Sequence, residues 1–151
     1  MLRKLGISAL LLMFCISFAS GAAAEEKTDA FYTGDLEGYT ITPAKDSVGD
    51  SGQKYIYDTI MQGETNWHTK NVNSHVTVLN VDLNWGDSSD SLRLGIYTPD
   101  WQYLGEFYDS ADGKVNGRIN IDISNPAGIA EGTWHYEVYG YSVFETEDYY
   151  L

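Results

Sequence analysis

Residues 76–85 read Val76-Thr77-Val78-Leu79-Asn80-Val81-Asp82-Leu83-Asn84-Trp85, and their alternation decides the fold class. Leu79, Val81, Leu83 and Trp85 fall on one side of an extended chain, and Asn80, Asp82 and Asn84 on the other. Successive side chains of a strand point to opposite faces, so this pattern predicts a strand with one buried face rather than a helix. The same period of two recurs at Leu92, Leu94 and Ile96, and at Ile119, Ile121 and Ile123 against Arg118, Asn120 and Asp122. It returns at Trp134, Tyr136 and Val138 against His135, Glu137 and Tyr139. Turn clusters separate these runs: Gly86 to Asp90, Thr98-Pro99-Asp100, Asp109 to Gly113, and Asn125 to Gly128. Asp, Asn, Ser, Pro and Gly each favour turn geometry, so the runs are strands joined by tight connections. The expected elements are about eight strands, at 55–61, 66–72, 76–85, 92–98, 103–108, 117–123, 132–143 and 148–151. The fold class is therefore all-β, an antiparallel β-sandwich.

Upstream of the strands the composition changes twice. Arg3 and Lys4 precede an apolar stretch from Leu5 to Ala19, and Ala22-Ala23-Ala24 stands before Glu25. Charge, apolar core and small residues in that order predict a signal peptide over 1–24, cleaved near Ala24, and a protein secreted or held at the cell envelope. The apolar run is short for a span of ~20 residues, so no membrane span is expected after cleavage. A lipid on Cys15 would want a small residue where Phe14 stands. Residues 25–54 are poor in aliphatics and punctuated by Pro43, Gly49 and Gly52, as in a leader or loosely packed segment. Tyr39-Thr40-Ile41 within it could pack as a short strand. The folded domain is expected over 55–151.

Cys15, the only cysteine, leaves with the signal, so no disulfide braces the exported domain and its core must suffice. Four Trp and 12 Tyr, together with the β-branched runs, supply it. Without Arg3 and Lys4, seven basic residues face all 22 acidic ones, a net charge of −15. Such a surface repels phosphate backbones and excludes nucleic acid as a partner.

Four segments together resemble the pre-peptidase C-terminal (PPC) domain family. They are Gln62-Gly63-Glu64-Thr65-Asn66-Trp67, Val81 to Trp85, Leu92-Arg93-Leu94-Gly95-Ile96-Tyr97-Thr98-Pro99-Asp100, and Gly132-Thr133-Trp134 through Gly140. The chain looks most like short secreted archaeal members, and the likeness covers roughly 55–151. It implies a jelly-roll-like sandwich, usually an accessory to exported enzymes, and in some relatives the binding of collagen and calcium. Three positions depart from the pattern. Ser91 and Arg93 stand where an Asp pair is common, and Trp101 stands where Gly is usual.

Catalytic chemistry finds little footing. Ser142 follows Gly140 but lacks the second glycine of a nucleophile elbow, and no cysteine remains for thiol chemistry. His68, His75 and His135 are far apart with no zinc-binding spacing, and His68 and His135 read as outward strand residues. Glu137 and Asp122, outward on neighbouring strands, are the carboxylate pair a small hydrolase would use. No cofactor is expected. Calcium is the metal that acidic loops suit, and Asp87 and Asp90 in one loop, with Asp109 and Asp112 in another, are its candidate ligands. For binding, Trp101, Tyr97, Tyr103 and Tyr108 surround the Pro99 turn, and aromatics beside polar groups suit sugar rings or extended peptides. The expected function is a non-catalytic module binding an extracellular protein or polysaccharide. The alternatives are that small secreted hydrolase and an envelope protein self-associating through strand edges.

Overall fold

The computed structural model describes residues 38–44 and 55–151. The expected signal peptide and the remainder of the 25–54 stretch lie outside the described residues. Nine strands are described: β1 (Thr40–Pro43), β2 (Tyr57–Met61), β3 (Thr65–Val72), β4 (Val78–Asn84), β5 (Ser91–Tyr97), β6 (Tyr103–Phe107), β7 (Arg118–Ser124), β8 (Gly132–Ser142) and β9 (Thr146–Tyr150). One 3-10 turn, Asp109–Asp112, follows β6. The strands form two sheets, in the orders β1-β7-β4-β9-β2 and β3-β8-β5-β6, with every pairing antiparallel. Apart from the β5-β6 hairpin, successive strands from β2 to β9 cross from one sheet to the other, as in a jelly roll.

The core lies where the alternation places it. Leu79, Val81 and Leu83 of β4 sit opposite Ile123, Ile121 and Ile119 of β7. Their inner faces meet Leu92, Leu94 and Ile96 of β5 and Trp134, Tyr136 and Val138 of β8, all buried. The valine, isoleucine and aromatic side chains among them fill a pleated surface well, which favours strands in these segments.

The five-stranded sheet takes its first strand from within 25–54. Tyr39 and Ile41 are buried, the Tyr39 ring stands edge-on to Trp134 at 5.7 Å, and its hydroxyl accepts the Ala130 N–H at 3.3 Å. Among the described residues strand β1 pairs only with β7, at the edge of the sheet, where Pro43 is tolerated.

Strand β3 departs from the sequence reading. His68 faces inward and is buried, not outward, and its Nε2 lies 2.6 Å from the Tyr149 hydroxyl. Burial holds its imidazole below the ordinary histidine range, against the opposing pull of Asp58. Asn66 is also on that inner side, donating to the Thr59 carbonyl at 2.8 Å and the Tyr149 hydroxyl at 3.2 Å. An edge strand at an open side of the sandwich can keep polar groups inside because each finds a partner.

Candidate functional site

The outer face of the β3-β8-β5-β6 sheet gathers aromatic side chains from four strands and one turn. Trp67 comes from β3, His135 from β8, Tyr97 from β5 and Tyr103 from β6, while Trp101 reaches in from the turn between β5 and β6. Neighbouring ring centroids lie 5.5 Å apart for Trp67 and Tyr97, 6.1 Å for Trp67 and Trp101, and 5.0 Å for Tyr97 and Tyr103. Trp101 stacks on His135 at 3.9 Å with 19° between the planes. Trp67 and Trp101 remain 51% and 58% exposed, so each keeps a large part of its surface for something else to cover. Gly95 lies on the same outer face, buried beneath Glu137 and Tyr97, whose side chains close over the space a Cβ would take.

The turn explains how Trp101 is held. Trp101 N–H donates to the Thr98 carbonyl at 2.9 Å, and the Thr98 hydroxyl accepts the Gln102 N–H at 3.0 Å while also bonding Asp100. Closing that turn puts Trp101 at φ 66°, the left-handed region that costs a residue with a Cβ about 1 kcal/mol. A large exposed side chain at a backbone position better suited to glycine is not accounted for by core packing.

A charged strip borders the rings. Arg93 donates to Glu137 at 2.6 Å and to Glu106 at 3.2 Å, and its guanidinium lies 4.7 Å from the Tyr139 ring centre. Tyr97 donates to Glu137 at 3.3 Å and Tyr108 to Glu106 at 3.1 Å. The Tyr103 hydroxyl is pushed up to about 12, first by burial and then by Glu106, so it stays a proton donor at any physiological pH. Of the four predicted residues, Trp101, Tyr97 and Tyr103 come together. Tyr108 lies further along, edge-on to Tyr141 at 5.1 Å, tied to the rest through Glu106 and Arg93.

No protein-family model matches the chain. An uncharacterised protein of Archaeoglobus fulgidus is 45% identical over 49 residues, a stretch that covers 32% of this chain and 68% of that protein. The two belong to one family. The relative's description assigns no activity, so the shared family fixes kinship and leaves function to the geometry.

Glu137 and Asp122 do not form a pair. Glu137 is on β8 and Asp122 on β7, in different sheets, because the jelly roll sends consecutive strands to opposite layers. Asp122 accepts from the Asn80 amide at 2.9 Å, and Glu137 is held by Arg93.

Each of the predicted calcium residues accepts hydrogen bonds from the protein's own donors. Asp87 accepts the Ser89 N–H at 2.8 Å and the Ser89 hydroxyl at 2.7 Å. Asp90 is buried and takes the Phe144 N–H at 3.2 Å on both oxygens. Asp109 accepts from the backbones of Asn116, Gly117 and Arg118, and Asp112 from those of Lys114 and Asn120. Among the described residues no group of three or more His, Cys, Asp or Glu is placed to hold a metal.

Asp90 has a second consequence. The Glu147 carboxyl beside it is pushed up to about 7, first by burial, then by the hydrogen bond and charge of Asp90, with Asp87 and Asp148 adding. A carboxyl raised in the folded state binds its proton more tightly there than in the unfolded chain. Its contribution to stability is therefore present at low pH and is lost as pH climbs from the ordinary glutamate value through about 7. The melting midpoint is expected to fall across that window, and Glu147→Gln to flatten the slope. An unchanged slope in that variant would locate the titration elsewhere.

Sequence reasoning placed the Pro99 turn but missed Trp67, Arg93 and Glu137 as parts of the same face. The signal was available in the outward parity of Arg93 and Glu137. For Trp67 it was masked by the polar inner residues of its own strand.

Proposed function

We propose that this chain is a secreted, non-catalytic binding module that lays an extended polysaccharide across the outer face of the β3-β8-β5-β6 sheet. The observation that carries the reading is Trp101: exposed, held at a left-handed backbone position, and stacked on His135 in continuity with Trp67, Tyr97 and Tyr103. Sugar rings present apolar C–H faces that sit on indole and phenol rings, while their hydroxyls need flanking donors and acceptors. Arg93, Glu137 and the phenol hydroxyls supply those beside the platform. The protruding rings stand on a sheet face rather than in a walled cleft, which suits a long chain passing over the surface. Membership among PPC-like accessory domains is part of the same proposal and would place the module beside an exported enzyme or the envelope.

Trp101→Gly separates this role from a structural one. Glycine relieves the left-handed strain, so the melting midpoint is expected to hold or rise slightly. Affinity electrophoresis through gels containing soluble cellulose, xylan or chitin derivatives is expected to show retardation of the native protein. Retardation by whichever glycan is retained should drop roughly tenfold or more in Trp101→Gly and in Trp67→Ala, as for central aromatic contacts. Full retention in both variants, or no retention by any glycan, would sink the proposal.

A further inference from the structure

A second site lies on the opposite side of the fold, where the five-stranded sheet parts. Strands β4 and β9 meet at one bridge only, Asn84 with Tyr150, and beyond it they separate. The space between them is a cleft of about 450 Å³. Its walls include Ile56, Val81 and Leu151, and its floor is Lys70 and Tyr136 from the other sheet.

Among the described residues, three features of that cleft lack an internal explanation. The first is an unused strand edge. Thr77 accepts from Asn125 and Trp85 donates to Gly117, both on the β7 side. Peptide groups alternate in direction along an antiparallel strand, so Asn80 and Asp82 point theirs into the cleft. Apart from the Asn84 bridge, β4 has no strand partner on that side among the described residues. The second is Tyr136, 2% exposed, whose hydroxyl is buried with no hydrogen-bond partner. A buried hydroxyl without a partner costs free energy and needs a reason. The third is Lys70, which points inward on β3 and reaches only the Asn80 carbonyl, at 3.4 Å. Burial holds its ammonium below the ordinary lysine range. An inward lysine on an edge strand can serve to deter edge-to-edge aggregation, but that role leaves the Tyr136 hydroxyl unexplained.

We infer that this cleft receives an extended peptide segment of a partner protein, which adds as a strand along β4 and places a carboxylate between Lys70 and Tyr136. The strand edge supplies main-chain hydrogen bonds, the commonest currency of peptide recognition by sheets. The two floor groups are both hydrogen-bond donors, one of them cationic, so the complement they lack is an anionic acceptor. Ile56, Val81 and Leu151 give the neighbouring side chains of the peptide an apolar seat. The aromatic platform takes no part, so this site stands or falls separately from the polysaccharide reading.

The probe is an acetylated and amidated peptide of about seven residues, alternating threonine and valine with one central glutamate. Its glutamine counterpart and free succinate serve as comparisons. Backbone amide NMR titration is expected to move and protect the Asn80 and Asp82 amides on adding the glutamate peptide. The glutamine peptide should bind about tenfold or more weakly, as should the glutamate peptide to Lys70→Met. Tyr136→Phe should weaken binding less, and Trp101→Gly should leave it unchanged. Melts of Lys70→Met and Tyr136→Phe are expected to match or exceed the native midpoint, since each removes a buried polar group that lacks a full partner. Equal binding of both peptides, equal binding by Lys70→Met, shifts confined to the aromatic face, or no binding at millimolar peptide would overturn the inference. So would succinate binding as tightly as the peptide, because it lacks a backbone to pair with β4.

Discussion

Trp134→Ala is expected to lower unfolding stability by about 3–5 kcal/mol, the usual cost of emptying a large aromatic site. The indole is wholly buried, at 0% exposure, at the centre of the four-stranded sheet. Its Nε1 donates to the Ala130 carbonyl at 2.9 Å, and its face receives the edge of Tyr39. Alanine would therefore remove three things together: apolar burial, an aromatic contact with the strand β1 region, and the partner of a carbonyl in the connection before β8. The next residue, His135, points to the opposite face, and His135→Ala should stay within about 0.5 kcal/mol. Urea melts of the two variants check the register. A larger loss for His135→Ala would mean that the faces of β8 are assigned the wrong way round.

The second large effect is expected at Asp109. Asp109→Ala should cost about 2–4 kcal/mol, because it strips the acceptor from three backbone N–H groups at once. Those donors, on Asn116, Gly117 and Arg118, lie 3.1 Å from the carboxylate and turn the chain from the 3-10 turn into β7. Gly117 sits at φ 76°, and a Cβ there would come within 2.6 Å of the Asp87 nitrogen. The turn after β4 thus rests directly on the segment that Asp109 holds, so losing the carboxylate loosens both connections. Asp112, which takes two N–H groups in a less buried setting, should cost less, about 1 kcal/mol. Melts in chelator and in calcium give the discriminating control. If the native protein in chelator fell to the midpoint of Asp109→Ala, the carboxylate would be acting through a bound metal rather than through backbone donors.

The strands were legible because their inner faces are aliphatic or aromatic at every second position. From Leu79 to Trp85 and from Ile119 to Ile123 the alternation admits one register, and the structure has it. Strand β3 was legible in extent but not in orientation. Its inner residues Asn66, His68 and Lys70 are polar and its outer face carries Trp67, so hydrophobic parity points the wrong way there. Partners such as Tyr149, distant in sequence, make that interior tolerable, and no local pattern announces them. Strand β1 was hard to read for a different reason. Four residues ending in Pro43 give almost no period, and what ties them to the sheet, the ladder with β7 and the burial of Tyr39 and Ile41, depends on residues far along the chain. The candidate face was partly visible because Trp101 stands in a turn. That it joins Trp67 depends on β3 and β5 both flanking β8, a fact of topology rather than of local sequence.

The strand order also bears on how the chain acquires its structure. Among the described pairings only β5 and β6 are consecutive; β2 waits for β9, β3 for β8, and β4 for β7. Contacts so remote in sequence impose a loop-closure cost before they return any stabilisation, so folding is expected to be slow and to need nearly the whole chain. The single hairpin able to form early is the one closed by Thr98 and carrying Trp101. Until Thr146–Tyr150 has been synthesised, β2 lacks its described partner, and that edge of the five-stranded sheet cannot close.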